Sequence, residues 1–449
     1  MESNDRERLL RTSPDVDGRR PATKRRQLYY GWVIVGVIAL AGMAETAEFH
    51  PTLGAFMKPL EQEFGWSRTA ITGAISLGTI LGGGVALLVG PLLDRFGPRW
   101  IMFGGFLLLG GAIMAMSAVN ALWQFYLAMV VGRVLIQGAL GVAVSVTVSK
   151  WFVRQRGRAV AIGNLGVRFG NAFSPAYVQW FITNQGWRTA SIALGLFTWA
   201  MTLLPTALFL RRQPEDMGLR PDGDKLVDPA SDDPNGESDA GAIDADYSLR
   251  EALRTSSLYL VLFATCASFF VGAGLNLHIL ALLTDRGLTP AQAVTTVSLW
   301  SLVGVIGTLA AGFAAERIPI RYMLAGSYLS LVGVVAYLLS VQTFSQALVF
   351  GVLFGLAFSA VPILQNIIFA DYFGRAYLGA IRGFATPFQM TFNALGPLAA
   401  AFLYDMTQSY TLILFVFVAM YGLATVAILA SRPIQQRHVK ASAASLHGG

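Results

Sequence analysis

The sequence predicts an all-α polytopic membrane protein: twelve transmembrane helices arranged as two six-helix bundles, with both termini in the cytoplasm. Four observations predict it. Asp, Glu, Lys and Arg make up 13% of the residues and hydrophobic side chains 54%, whereas soluble domains carry about 25% charged residues. A mean hydropathy of +0.55 leaves more apolar surface than one water-soluble core can hide. Apolar stretches of about 20 residues recur twelve times, each long enough at about 1.5 Å per residue to cross a hydrocarbon layer of about 30 Å. Finally, the two halves repeat at a constant offset of 222 residues. Disorder, coiled coil, collagen and small disulfide scaffolds are excluded. The single Cys266 rules out an intrachain disulfide and a cysteine-built metal site.

The stretches fall near 30–58, 68–92, 100–118, 122–148, 158–182, 187–210, 256–283, 291–314, 322–341, 345–370, 377–404 and 409–430. Runs this long and unalternating predict helices rather than barrel strands, because in lipid the backbone must satisfy its own hydrogen bonds. Ahead of them, residues 1–28 carry eight Lys and Arg and read as a disordered cytoplasmic tail. Their charge, and the length of the run that follows, argue against a signal peptide. Residues 29–210 form the first bundle and 256–431 the second. Between them 211–255 reads as a cytoplasmic linker, rich in Asp, Pro, Gly and Ser from Pro214 to Asp246 and without amphipathic period. Residues 432–449 form a cytoplasmic C-tail.

With both ends inside, the inner segments hold 26 of the 33 Lys and Arg, as the positive-inside rule requires. The outer loops hold Lys58, Arg68, Arg188 and Arg286. Tyr29, Tyr30, Trp32, Trp66, Trp123, Trp151 and Trp187 fall at the expected interfaces, where aromatic belts form. The net charge of +7 therefore describes orientation in a bilayer and attraction to anionic lipid, not nucleic-acid binding.

The repeat falls on glycines, charges and prolines. Gly65-Trp66-Ser67 matches Gly287-Leu288-Thr289, and Gly82 matches Gly304. Gly90, Asp94, Arg95 and Arg99 match Gly312, Glu316, Arg317 and Arg321, while Asn171, Ala172 and Pro175 match Asn393, Ala394 and Pro397. Two bundles related by an axis along the membrane normal are the plan of parallel-repeat transporters, with the path between the halves.

Over nearly its whole length the chain resembles the major facilitator superfamily. Gly90-Pro-Leu-Leu-Asp94-Arg95-Phe-Gly97-Pro-Arg99 resembles that superfamily's signature loop between helices 2 and 3, with Gly312 to Arg321 as a weaker second copy. Arg133 followed by Gln137-Gly138 resembles its fourth-helix signature. Within the superfamily the chain is most similar to the monocarboxylate transporter family and its bacterial relatives. Tyr30-Gly31-Trp32-Val33, Lys58-Pro59-Leu60, Phe64-Gly65-Trp66-Ser67, Trp151-Phe152-Val-Arg154-Gln-Arg156-Gly157 and Pro214-Glu215-Asp216-Met217-Gly218 carry this likeness. Two departures stand against a lactate-like cargo. The Asp and Arg pair of the family's helix 8 is missing from 291–314, and Tyr replaces the acidic residue before the Gly-Trp pair of helix 1. What the resemblance implies is a small organic anion moved by alternating access with a proton.

Charge inside the bilayer is costly and usually lines a cavity. Arg133 lies 11 residues in from the outer end of span 4 and Arg168 as far in from the inner end of span 5, each about 16 Å deep. Gln137 follows Arg133 by four positions, and Asn164 and Asn171 flank Arg168, so each helix has one polar face. Guanidinium stays protonated and grips carboxylates through paired donors. Two readings stand for Arg133, contact with substrate or organisation of helix packing and proton coupling. Arg168 is the stronger candidate for substrate contact. Arg382, about 9 Å from the inner end of span 11, reads as a side chain that snorkels to the surface.

Glu45 and Glu48 are the carboxylates within the spans, three apart on one face of span 1 with Thr52. A carboxyl group in a partly dry cavity can take and release a proton near neutral pH, so Glu45, Glu48 or His50 is expected to carry the coupling proton. The alternative is a wet vestibule lined by Glu48 and His50. His50-Pro51 marks an expected kink. His278, after Gly272 and Gly274 in span 7, is expected to line the substrate path, with the glycines serving either a loosened helix or close packing.

By the resemblance, Asp94, Arg95, Arg99, Glu316, Arg317 and Arg321 form charge contacts with neighbouring helix ends that gate the cytoplasmic side. An embedded enzyme is disfavoured, since the histidines at 50, 278, 438 and 447 make no helical zinc motif and the loops are short. A non-transporting sensor would append a signalling domain. A proton-driven drug exporter, or an anion exchanger, is the alternative among transporters. No cofactor, nucleic acid or obligate protein partner is called for. The expected location is the bacterial cell inner membrane.

Overall fold

The computed structural model describes residues 29–152, 155–220, 247–315, 317–374 and 377–432, without the side chains of 86–88, 90–91, 94–96, 142, 145–146, 149 and 156–157. The tails at 1–28 and 433–449, most of the linker, Glu316, and the side chains of Asp94 and Arg95 lie outside what is described. Helix 1 runs Gly31–Phe64. Helices 2 and 3 form the run Arg68–Ala115, which reverses at Gly97, and helix 4 is built from Leu122–Val134, a π-turn Leu135–Leu140 and Gly141–Trp151. Helix 5 is Arg156–Gln185 and helix 6 Trp187–Phe209. After a short helix Leu249–Ala252 come helix 7 (Ser256–Asp285), helix 8 (Pro290–Ala314), helix 9 (Ile320–Leu338), helix 10 (Phe344–Phe373), helix 11 (Leu378–Thr407) and helix 12 (Thr411–Ala430).

Nine helical segments among the described residues are long and apolar enough to cross a membrane. Helices 2, 5 and 11 complete the twelve. Helices 5 and 11 are the polar ones, carrying Asn164, Arg168 and Asn171, and Arg382, Gln389 and Asn393, and both face the opposite bundle.

The duplication is visible at individual atoms. Gly65 ends helix 1 at φ 67° and Gly287 ends helix 7 at φ 91°. Two residues on, Ser67 and Thr289 cap helices 2 and 8 by accepting from the amides of Ala70 and Gln292, which satisfies donors otherwise left open at a helix start. Gln124 and Gln346 accept from the amides of Asn120 and Gln342 at the starts of helices 4 and 10. Arg99 donates to the carbonyl of Ala207 near the end of helix 6, and Arg321 to that of Leu429 near the end of helix 12. Cations at a helix C-terminus meet the negative end of its dipole.

The bundles meet along helices 2 and 11 and along helices 5 and 8. Ser76 donates to the carbonyl of Ala394 at 2.7 Å. Its repeat, Ser298, donates to the carbonyl of Ala172 at 2.6 Å. Helices 1 and 7 approach backbone to backbone, for a Cβ at Gly54 would lie 2.4 Å from the Leu277 oxygen. In lipid, where apolar side chains gain nothing by leaving tails, close approach and interhelical hydrogen bonds hold helices together.

Candidate functional site

Helix 1 is interrupted rather than kinked. Its first half ends at Glu45, Thr46–Glu48 form a 3-10 turn, Phe49 is extended (φ −76°, ψ 150°), and a new helix starts at His50 with Pro51 in its first turn. Proline suits a first turn because its missing N–H is not needed there. The interruption leaves the Glu48 carbonyl free of the helix, and Arg133 takes it. The guanidinium Nη1 donates to that oxygen at 2.6 Å, Nε and Nη2 donate to Thr79 Oγ1 at 3.2 and 2.9 Å, and Nη2 lies 3.5 Å from His50 Nε2. At 2% exposure, Arg133 is enclosed among helices 1, 2 and 4 of its own bundle. Gly78 leaves the room, since a Cβ there would lie 2.6 Å from that of Arg133. The second bundle reverses the sizes, with Trp300 and Gly355 at the equivalent positions.

The carboxyl Oε2 of Glu48, also buried, has no hydrogen-bond partner, and neither has Glu45 Oε1. Thr46 bonds Ser174 of helix 5 at 2.8 Å, and Thr52 donates to the Thr46 carbonyl. The wet-vestibule alternative therefore does not describe Glu48. Glu45 is half-buried and Phe49 beside it is exposed.

Arg168 stands differently. From helix 5 it crosses to the second bundle, where Nη2 donates to Thr308 Oγ1 at 2.9 Å and Nη1 to Ser359 Oγ at 3.4 Å. It has no carboxylate partner among the described residues. The two arginines, expected at similar depth, are thus held apart, Arg133 inside the first bundle and Arg168 between the bundles. Asn171, one turn on, has a buried Oδ1 without a partner, as has its repeat Asn393. Asn164 is exposed and Gln137 half-buried against Gly82. Arg382, exposed, donates to Asn366 Oδ1 on helix 10.

His278 does not line an open path. It is 2% exposed, with Nε2 3.0 Å from the Pro397 carbonyl and Nδ1 3.0 Å from Tyr410 OH. A carbonyl only accepts, so Nε2 carries the hydrogen and Nδ1 takes that of the phenol. Helix 7 runs unbroken past Gly272 and Gly274, where a Cβ at 274 would lie 3.1 Å from the Gly396 carbonyl carbon. Close packing is their role.

Sequence reasoning missed a charge cluster at the outer end. Arg68, at the start of helix 2 and 2% exposed, donates from Nη1 and Nη2 to Asp285 at 2.7 and 3.3 Å, from Nε to Glu61 at 3.2 Å, and from Nη1 to Tyr410 OH at 2.6 Å. Its guanidinium carbon lies 3.7 Å above the Tyr404 ring. Lys58 reaches Asp285 at 2.7 Å, and Asp405 accepts the amides of Arg68 and Thr69 at 3.2 and 2.8 Å. Asp285, Tyr404, Asp405 and Tyr410 belong to the second bundle, so this network closes the outer end across the interface. Its sequence signal was opposite charge at facing helix ends, with Lys58 and Arg68 in one half and Asp285 and Asp405 in the other. By contrast Arg99 and Arg321 bond within their own bundles, and Arg317 is exposed.

Two repeated six-helix bundles, tied at one membrane face with a cation between them, are the plan of a parallel-repeat membrane transporter. The family model of the Major Facilitator Superfamily matches residues 34–390 and, in a second match, 261–447, and the chain belongs to that superfamily. It is 23% identical over 391 residues to an uncharacterized transporter of this type, YcxA of Bacillus subtilis, covering 84% of this chain and 90% of that one. It is 26% identical over 322 residues to the gallate transporter of Pseudomonas putida, covering 66% and 70%. Among solved structures, a bacterial homologue of the human lysosomal transporter Spinster, inward-facing and unoccupied, superposes with a TM-score of 0.69 at 14% identity over 90% of this chain and 99% of that one. The chain is a transporter and not an enzyme, and a multi-pass protein of the bacterial cell inner membrane.

Proposed function

We propose that the protein moves a small organic anion, a carboxylate, together with a proton. The observation that carries this reading is Arg168: a permanent cation between the bundles, met by neutral hydroxyls alone among the described residues. Unpaired charge at membrane depth is expensive, and a carboxylate bound through paired donors offsets that cost. The likeness to a gallate transporter supports the same class of cargo, as does the sequence likeness to the monocarboxylate family. Arg133, held on the Glu48 backbone, organises the broken segment of helix 1. Glu48 and Glu45, with a buried oxygen each left unpaired, are the proton carriers, and His50 beside Arg133 assists. The Arg68–Asp285 network is the outer gate. Arg99 and Arg321 keep each bundle rigid while the bundles rock.

Proteoliposomes loaded with buffer test this. Uptake of labelled gallate, benzoate and acetate against a neutral sugar is measured with and without an inward proton gradient. Carboxylate uptake that rises with the gradient is expected. Uptake driven equally well by an opposing carboxylate and indifferent to protons would assign exchange instead, and uptake of the sugar alone would overturn the anion reading.

A further inference from the structure

Arg168 belongs to the first bundle, and both of its partners belong to the second. Thr308 lies on helix 8 and Ser359 on helix 10. Thr308 donates its own hydrogen to the Ser359 carbonyl at 3.2 Å, so its oxygen faces the guanidinium as an oriented acceptor. Gly304 leaves the room for the Ser359 hydroxyl beside the guanidinium. A Cβ there would lie 2.2 Å from Ser359 Oγ and 3.5 Å from Arg168 Nη1. At the equivalent place in the first bundle, Gly82 makes room for Gln137, a residue that stays within its own bundle. The guanidinium has five donors, and the hydroxyls occupy two of the nitrogens a carboxylate would use.

We infer that Thr308 and Ser359 are positioning residues for the anion site, holding Arg168 across the bundles until a substrate carboxylate displaces them. The inference rests on the reading of Arg168 as that site. A carboxylate adds a full opposite charge and the paired fork geometry that two separate hydroxyls lack, so the anion wins the guanidinium. Winning it removes a tie between bundles, which couples occupancy of the site to the rocking motion. Without substrate the same tie favours the outer-closed arrangement and slows empty cycling.

The test uses the full chain in liposomes, with Cys266→Ser and spin labels on Gln62→Cys and Ala291→Cys, exposed outer positions of opposite bundles. Without substrate, Thr308→Val with Ser359→Ala is expected to raise the outer-open to outer-closed ratio by at least about tenfold, the size expected for losing one hydrogen bond to a charged group. Thr308→Ser, which keeps the hydroxyl, is expected to match the parent. Ser359→Ala alone, which leaves the Thr308 bond to a backbone carbonyl intact, is expected to shift in the same direction and guards against misfolding of the double variant. Unchanged distances in both the double variant and Ser359→Ala, or Thr308→Ser shifting as far as the double variant, would overturn the inference. Gallate, benzoate and acetate are then added, and the parent is expected to move further than the double variant. If none of them moves any variant, the anion reading fails, while the substrate-free comparison still decides on the tie.

Discussion

Asp285→Asn tests the outer gate. Asp285 accepts two bonds from Arg68, at 2.7 and 3.3 Å, and one from Lys58 at 2.7 Å. The Lys58 side chain is 30% exposed, and ion pairs of that kind contribute about 0–1 kcal/mol. The Arg68 side chain is 3% exposed, and hydrogen bonds to buried charged groups contribute about 1.5–3 kcal/mol, with a further penalty when one partner is left unmatched. Arg68 keeps Glu61 and Tyr410 in the variant, which limits that penalty. The change should therefore weaken the outer-closed state by about 2–3 kcal/mol, a shift of about 30–150-fold in the closed-to-open ratio. Distance measurements between spin labels on the outer ends of helices 1 and 8 read that ratio directly. Arg68→Gln should act in the same direction, and the double variant should be less than additive because the two residues share one bond set. A shift under about twofold in both single variants, small against an exchange of this size, would refute the assignment of the cluster as a gate.

Other outcomes follow from the same geometry. Glu48→Gln keeps the shape but removes the proton, so carboxylate exchange should persist while gradient-driven accumulation falls at least about tenfold if a single carrier is lost; Glu45→Gln alongside it identifies which carboxyl matters. Arg133→Met should destabilise the detergent-solubilised protein by about 1–3 kcal/mol, since it strands the Glu48 carbonyl in a dry interior while Thr79 keeps its bond to the Ile75 carbonyl, seen as a lower thermal midpoint. Gly54→Val should block closure of the outer end without unfolding either bundle, because the added carbons fall on the Leu277 carbonyl; trapped outer-open distances with normal thermal stability are expected.

How much of this was legible in the sequence differs by level. Helices followed from hydropathy because each must satisfy its own backbone, and their ends from Gly, Ser and Thr at Gly65-Trp66-Ser67 and Gly287-Leu288-Thr289. The repeat offset paired Arg99 with Arg321, but the expectation drawn from the resemblance was of gating charge contacts, whereas both donate to helix-end carbonyls inside their own bundles. Depth in the bilayer was readable for Arg133 and Arg168, but direction was not. Each helix turns one side to its own bundle and another to the gap, and a polar residue suits either. Direction was decided by small residues on other helices, Gly78 beneath Arg133 and Gly304 beside Ser359, hundreds of atoms away along the chain. The same applies to His278, which reads as a path residue by composition and is committed to Pro397 and Tyr410 by packing. The interruption at Phe49 was expected only as a kink at His50-Pro51, because proline marks a helix start and a bend alike.

The central claim is tested most directly by equilibrium binding of labelled benzoate and gallate to purified Arg168→Gln and Arg168→Lys in detergent, beside Arg133→Lys. Loss of carboxylate binding by at least about tenfold in Arg168→Gln, partial retention in Arg168→Lys, and affinity within about threefold of the parent for the folded fraction of Arg133→Lys are the results predicted for a site built on one guanidinium. Unaltered affinity in Arg168→Gln, with binding lost in Arg133→Lys, would contradict it and return the cargo to the interior of the first bundle.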